Sequence, residues 1–384
     1  MKYRQFGDTD FMVSALGFGC MRLPTTDGVP QSENIDEEES IKMIRYAIDQ
    51  GVNIVDNAYP YHQGNSEVVL GKALQDGYLD KVKLCTKSPL FEINSADDFD
   101  RYLHEQLERL QVNYIDYYLL HGINKERWGN VVGKFNLIEK AEKALQEGLI
   151  GHIGFSFHDD YPLLKEVIDA YPWTMCLLQY NYLDIETQGG VNGVQYAASK
   201  GVAVTVMEPL QGGKLACPPE PISKMLDEVA PGRPYYDWAL QWLWDQPEVS
   251  VVFSGMSSME QTKANLESAA KSSINNMNEK EKQLLEEEVY QKFKELILVP
   301  CTKCYYCMPC PHQVNIPFSL GLYNDGYAYG DLEQSRALYE RFGSTAENCT
   351  ECGECEDKCP QKIEISRLMP EVHKVLGEGK NYAT

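Results

Sequence analysis

Asn53-Ile-Val-Asp-Asn-Ala-Tyr-Pro-Tyr-His-Gln-Gly-Asn-Ser-Glu67 holds one complete strand–loop–helix unit. Ile54 and Val55 close a buried strand, and Asp56 stands where the strand runs out. A turn carries Tyr59, Tyr61 and His62. Ser66-Glu67 then opens a helical run with Val68, Val69, Leu70, Ala73 and Leu74. A carboxylate at a strand's C-terminal end, with a tyrosine five residues on, can set an acid and a phenol over the mouth of an α/β fold. Taken alone, the same residues are equally a capping Asp and surface aromatics, so the rest of the chain must decide.

The unit recurs. Strand-like runs lie at Ala15–Phe18, Asn53–Val55, Val82–Thr86, Ile115–Leu120, His152–Phe155, Met175–Gln179, Val202–Met207 and Ser250–Phe253. Each is apolar without clean alternation, the pattern of strands buried on both faces. Helical runs separate them. Ser95 caps one with Phe99, Leu103, Leu107 and Leu110 along a face, and another carries Ile41, Ile44 and Ile48 before Gly51 supplies a left-handed stop. Eight such units in about 270 residues predict a closed (β/α)8 TIM barrel rather than an open doubly wound sheet. Gly17-Phe-Gly-Cys20 does not complete a dinucleotide fingerprint after the first strand. A charged amphipathic helix over Asn278–Leu298, with Leu285, Val289, Phe293 and Leu296 on one face, is expected to pack outside the barrel. The expected domains are thus a barrel over 1–298 and a small, mostly α-helical domain over 299–384.

Composition narrows the partners. The 57 acidic and 35 basic residues leave a net charge of −22, which repels phosphate backbones and anionic lipid surfaces. No nucleic-acid or membrane partner is expected. No apolar run is long enough to span a bilayer, and Met1–Phe6 lacks a signal-peptide segment, so a cytoplasmic location is expected.

In a barrel of this kind chemistry sits at the C-terminal strand ends. Those ends supply Asp56, with Tyr61 in its loop, then Lys87 and His121. A lysine and a histidine at the ends of apolar strands are costly unless partnered. Lys87 beside Asp56 satisfies both charges, and its ammonium is expected to lower the Tyr61 pKa and sharpen it as a proton donor. His121 can hydrogen-bond the same substrate oxygen. Each residue alone has an ordinary structural explanation; four of them on three consecutive strand ends make that explanation weak.

Asp56-Asn-Ala-x-x-Tyr61, Ser66-Glu67, Thr86-Lys87, Leu120-His121, Gly154-Phe-Ser156 and Gln179-Tyr180-Asn181 together resemble the aldo-keto reductase family over about residues 1–270. The resemblance implies carbonyl reduction by hydride from a nicotinamide cofactor, NADP or NAD. Tyr61 would be the general acid, Lys87 and Asp56 would tune it, and His121 would orient the carbonyl. It further implies cofactor contacts at Gly19, Cys20, Met21, Asp56, Ser156, Gln179, Met207, Leu210, Gly255, Ser257, Gln261 and Asn265. Two departures stand out. Met207 occupies the position where family members stack an aromatic ring. Gly255-Met-Ser-Ser-Met-Glu-Gln261 lacks the Lys and Arg that grip a 2′-phosphate, so NADPH preference is not implied. The altered contacts leave room for a flavin, though no motif calls for one. Trp128 and the long segment 210–234 are expected to line the substrate pocket, whose substrate the sequence does not name.

Of twelve cysteines, eight fall at Cys301 or beyond, and in a reducing compartment such clustering signals metal rather than disulfides. Cys301, Cys304, Cys307 and Cys310-Pro311 are followed by Cys349, Cys352, Cys355 and Cys359-Pro360. The second run has bacterial ferredoxin spacing, in which the Cys before Pro ligates the other cluster. Two [4Fe–4S] sets follow: Cys301, Cys304 and Cys307 with Cys359, and Cys349, Cys352 and Cys355 with Cys310. Two four-thiolate zinc sites are the weaker alternative. Val314-Asn-Ile-Pro and Cys-Gly-Glu-Cys resemble the ferredoxin-fused branch of the same family. Function therefore divides between a reductase of a small carbonyl compound, whose clusters relay electrons, meet a redox partner or hold structure, and an electron-transfer or redox-sensing subunit whose barrel only docks. Turnover of small aldehydes separates the two.

Overall fold

The computed structural model describes residues 1–28, 31–301, 307–342, 346–359 and 363–382. Eight parallel strands close into a barrel in the order β10-β3-β4-β5-β6-β7-β8-β9. They are β3 (Leu16–Gly19), β4 (Ile54–Asp56), β5 (Lys83–Ser88), β6 (Ile115–Ile123), β7 (Ile150–Phe157), β8 (Met175–Gln179), β9 (Ala203–Met207) and β10 (Val249–Gly255). All eight coincide with the apolar runs of the sequence, because helices cover the outer face while side chains fill the inside. Two short strands were not anticipated. β1 (Tyr3–Gln5) and β2 (Met12–Ser14) pair antiparallel, and Phe6 between them packs at 5.0 Å from the Tyr117 ring within the cluster that includes Ile54, Leu119 and Val251.

The helices follow their sequence signals. α1 (Glu37–Asp49) buries Met43, Ile44, Ala47 and Ile48, with Asp36 accepting from the Glu39 amide and Gly51 in the left-handed region. α2 (Asn65–Ala73) starts behind Gly64, whose φ is 96°. α3 (Ala96–Leu110) begins with a reciprocal capping box between Ser95 and Asp98 and buries Phe99, Leu103, Leu107 and Leu110.

By contact the chain forms two compact units: 1–216 with 236–278, and 217–235 with 279–384. The segment expected as a long loop over 210–234 holds a helix, Glu220–Val229, which falls in the second unit. The charged helical stretch over 279–295 is grouped there too, with a π-helical turn at Leu284–Val289 that puts Leu284 and Leu285 both inside. The same unit contains helices Ile316–Ala328, Leu332–Phe342 and Ile365–Leu376 around Leu320, Met369 and Val372. No helix among the described residues is long and apolar enough to cross a membrane.

Candidate active site

Register aligns the strand ends: Gly19 pairs with Asp56, Asp56 with Cys85, and Lys87 with Leu119. Lys87 is wholly buried, and its Nζ donates to both Asp56 oxygens at 2.7 and 2.8 Å and to the Asn57 carbonyl at 2.6 Å. Tyr61 Oη stands 3.4 Å from the same nitrogen, and the ammonium lies 5.0 Å from the centroid of its ring. The loop reaches this arrangement through His62 and Gln63, at φ 49° and 55°, followed by left-handed Gly64. Two consecutive non-glycine residues in that region are a local strain of the kind that collects at functional loops.

His121 completes the group. Its ring lies 6.2 Å from Tyr61 and 5.7 Å from Phe91, both edge-on. β6 does not end there as expected but runs to Ile123, with a register break between Leu120 and Ile123 and Gly122 at φ 68°. The amide of Gly122 donates to Ser156 Oγ at 2.7 Å in place of a ladder bond. Such a break re-aims the adjacent side chain.

Electrostatics corrects one expectation. The Tyr61 phenol is pushed up, not down: burial dominates, Lys87 pulls downward, and the Asp56 carboxylate pushes up again. The ion pair presents little net charge to the phenol, so the ammonium cannot overcome desolvation. For Lys87, burial favours the neutral amine, but Asp56, Tyr61 and Cys85 outweigh it and raise its pKa. Burial, followed by Lys87, His158 and Arg127, holds His121 well below the usual imidazole value. At neutral pH the site therefore contains a protonated phenol, an ammonium and a neutral imidazole whose buried Nδ1 has no hydrogen-bond partner among the described residues.

A buried polar layer lies behind. Gln106 of α3 donates to the Lys87 carbonyl at 3.1 Å and to Glu67 at 2.6 Å, and accepts from Tyr118 at 2.7 Å. Glu67, itself fully buried, also accepts from Thr86 at 2.7 Å and meets Arg109 at 3.4 Å. Ser66-Glu67 was visible in the sequence, but Gln106 was not, because nothing local links it to Lys87.

The residues expected at the cofactor lie at or just beyond the strand ends. Gly19 has no room for a side chain, since a Cβ would come 3.3 Å from the Ser254 carbonyl. Cys20 is buried, and Met21, Met207 and Leu210 are half-buried. Gln179 donates to Asp184 at 2.9 Å and accepts from Gln188 at 3.3 Å. Asn265 donates to Ser254 at 2.9 Å, while Gln261 accepts from both the amide and the hydroxyl of Ser257 beside exposed Gly255. Arg22 was missed. Its stem runs along Gly255, where a Cβ would sit 3.2 Å from it, and its guanidinium lies 3.7 Å from Glu208. Trp128 donates to Glu166 at 2.8 Å, which ties it to the neighbouring helix Tyr161–Ala170.

Residues 15–282 match the Aldo/keto reductase family, and residues 300–364 match the 4Fe-4S dicluster domain. The chain belongs to the aldo/keto reductase family. This aldo/keto reductase is similar to the uncharacterized oxidoreductase YqkF of Bacillus subtilis (strain 168), at 27% identity over 70% of this chain and 91% of that one. It is similar to the L-galactose dehydrogenase of Arabidopsis thaliana, at 29% identity over 69% and 87%. Among solved structures, the holo form of aldo-keto reductase AKR11C1 from Bacillus halodurans superposes with a TM-score of 0.62 at 29% identity, over 75% of this chain and 96% of that one. The protein is thus an oxidoreductase whose chain carries a ferredoxin-type 4Fe-4S domain after the barrel segment.

Within the second unit a small pocket is lined by Cys307, Cys310, Cys349, Cys352 and Cys355, with Lys358 on its wall. Cys310 acts electrostatically on Cys349, as do Cys352 on Cys349 and on Cys355. Cys310 therefore faces the second cysteine run, across some forty residues of chain. Cys307 and Cys359 are buried in one apolar cluster, against which Cys301, Cys310, Cys349 and Cys355 all pack. Cys304 lies outside the described residues. Among the described residues no three His, Cys, Asp or Glu side chains form a ligand set for a single metal ion. The donor set, thiols from both cysteine runs on one pocket, is the chemistry that an iron–sulfur cluster takes.

Proposed function

We propose that the protein reduces a small carbonyl compound to the alcohol with hydride from a nicotinamide cofactor, and that its tail holds two [4Fe–4S] clusters. The observation that carries the reading is the Tyr61 hydroxyl 3.4 Å from a Lys87 ammonium that is itself locked onto Asp56. When bound, the nicotinamide supplies the hydride that the carbonyl carbon accepts. Tyr61 gives its phenolic proton to the carbonyl oxygen, so the C=O becomes CH–OH. The adjacent ammonium stabilises the phenolate left behind until solvent returns a proton. Neutral His121 donates a hydrogen bond to the same oxygen and fixes its direction. Ser156, Gln179 and Asn265 are suited to the cofactor's polar edges. Arg22 stands where it can replace the cations absent after β10. One cluster falls to Cys349, Cys352, Cys355 and Cys310, the other to Cys301, Cys304, Cys307 and Cys359.

The test is turnover of small aldehydes by anaerobically purified protein with NADH and with NADPH. Tyr61→Phe is expected to cost at least about a hundredfold in kcat, the scale of a lost general acid. Turnover that survives Tyr61→Phe unchanged sinks the assignment of the proton donor, and absence of turnover with either cofactor favours a docking role for the barrel.

A further inference from the structure

Arg127 has no role in the chemistry above, yet it stands beside it. It ends the short turn of helix that follows β6, six residues beyond His121. Its Nη1 donates to the Gly122 carbonyl at 2.8 Å, the residue next to His121. Its guanidinium lies 5.9 Å from the Phe91 ring centroid, and His121 packs 5.7 Å from that same ring. Arginine and imidazole thus share one half-exposed aromatic wall. Among the described residues Arg127 makes no ion pair; Glu126, its chain neighbour, is the one carboxylate that acts on it, and burial outweighs that pull. A half-buried guanidinium with one carbonyl acceptor and no carboxylate partner has its desolvation only partly compensated. An anionic ligand removes that cost.

The surroundings agree in sign. The cations that act on His121 at neutral pH are Lys87 and Arg127, since burial and then Arg127 hold the third neighbour, His158, below the usual imidazole value. Lys87 is neutralised by Asp56, whereas Arg127 is not. In a chain of net charge −22 an anionic substrate is repelled at long range, so a local cation at the mouth matters more for capturing one. Arginine's planar fork matches a carboxylate in a way that a lysine's point charge does not.

We infer that Arg127 determines substrate class: the carbonyl compound reduced at Tyr61 and His121 carries a carboxylate, which the Arg127 guanidinium grips beside the Phe91 ring. The inference rests on the reductase reading and deepens it. Arg127 touches the far end of the substrate and takes no part in hydride or proton transfer.

Matched probes separate the two claims. Full-length protein is assayed with 4-carboxybenzaldehyde and with benzaldehyde, and titrated calorimetrically with the corresponding alcohols. The carboxylate probe is expected to show at least about tenfold higher kcat/KM, carried by KM, and to bind at least about tenfold tighter, with the preference shrinking as salt rises. Arg127→Gln is expected to erase the preference in both readouts. Arg127→Lys, which keeps the charge, is expected to retain part of it, and so distinguishes loss of the cation from loss of the fold. Equal binding of the two alcohols, or a preference that persists in Arg127→Gln, overturns the inference even if both aldehydes turn over. Carboxylate-selective binding that depends on Arg127, with neither aldehyde reduced, upholds the anion site and overturns the reductase reading instead.

Discussion

At the scale of residues, the site depends on a buried ion pair that cannot lose one member cheaply. Lys87→Met leaves Asp56 inside with no counter-charge, which costs about 3–5 kcal/mol. Adding Asp56→Asn to that variant is expected to recover part of the stability and none of the activity. Thermal unfolding of both variants checks this, and a double variant no more stable than Lys87→Met contradicts it. The pH profile follows from the two shifted groups. Tyr61 sits above the ordinary phenol value of 10.0, so it holds its proton as pH rises through neutrality and loses it only in strong alkali. His121 sits below 6.5, so it is already neutral and gains a proton only on acidification. Carbonyl reduction at saturating substrate is therefore expected to be flat between about pH 7 and pH 9. A rate that declines steadily across that span points to a lowered phenol pKa and against the burial argued here.

At the scale of elements, α3 acts as a brace for the end of β5. Its apolar stripe seats Phe99 against Tyr118 at 5.7 Å, and Gln106 on the inner side pins the Lys87 carbonyl. Gln106→Leu leaves Glu67 and that carbonyl short of donors, a loss of about 1–3 kcal/mol. Because the strand end is loosened rather than the substrate contact removed, kcat is expected to fall more than KM rises. Steady-state kinetics decides, and an unchanged kcat in a folded variant removes α3 from the positioning of Lys87. The break in β6 works in the same way for His121: a strand that ran straight past Leu120 would send alternate side chains to fixed faces.

At the scale of the whole molecule, the cysteine pairing makes a prediction about iron. In the proposed crossed pairing each [4Fe–4S] set takes one ligand from the other run, so Cys310→Ser and Cys352→Ser are expected to remove the same cluster, while Cys301→Ser removes the other. The Cys310/Cys352 double variant should keep about four irons per chain and the Cys310/Cys301 double variant almost none. Iron analysis with EPR of the reduced protein reads this directly. If the Cys310/Cys301 double variant keeps one full cluster, the crossed pairing is wrong.

The barrel and the grouping of Asp56, Tyr61, Lys87 and His121 could be read along the chain because each strand, buried on both faces, is a short apolar run; Asp56, Lys87 and His121 stand at or near the ends of such runs, and Tyr61 stands in the loop that follows one. Cysteine spacing marked the cluster frame for the same local reason. What folding decided was everything that depends on distance rather than order. The Tyr61 phenol rises because the barrel buries it, while Asp56 offsets part of the downward pull of Lys87. Gln106 gains its meaning only from Lys87 on a neighbouring strand, and Arg127 only from Phe91, the ring it shares with His121. Phe6 belongs to the barrel interior although no barrel strand contains it. Sequence carries propensity and spacing; burial and the field at a given atom are sums over neighbours that only the closed barrel brings together.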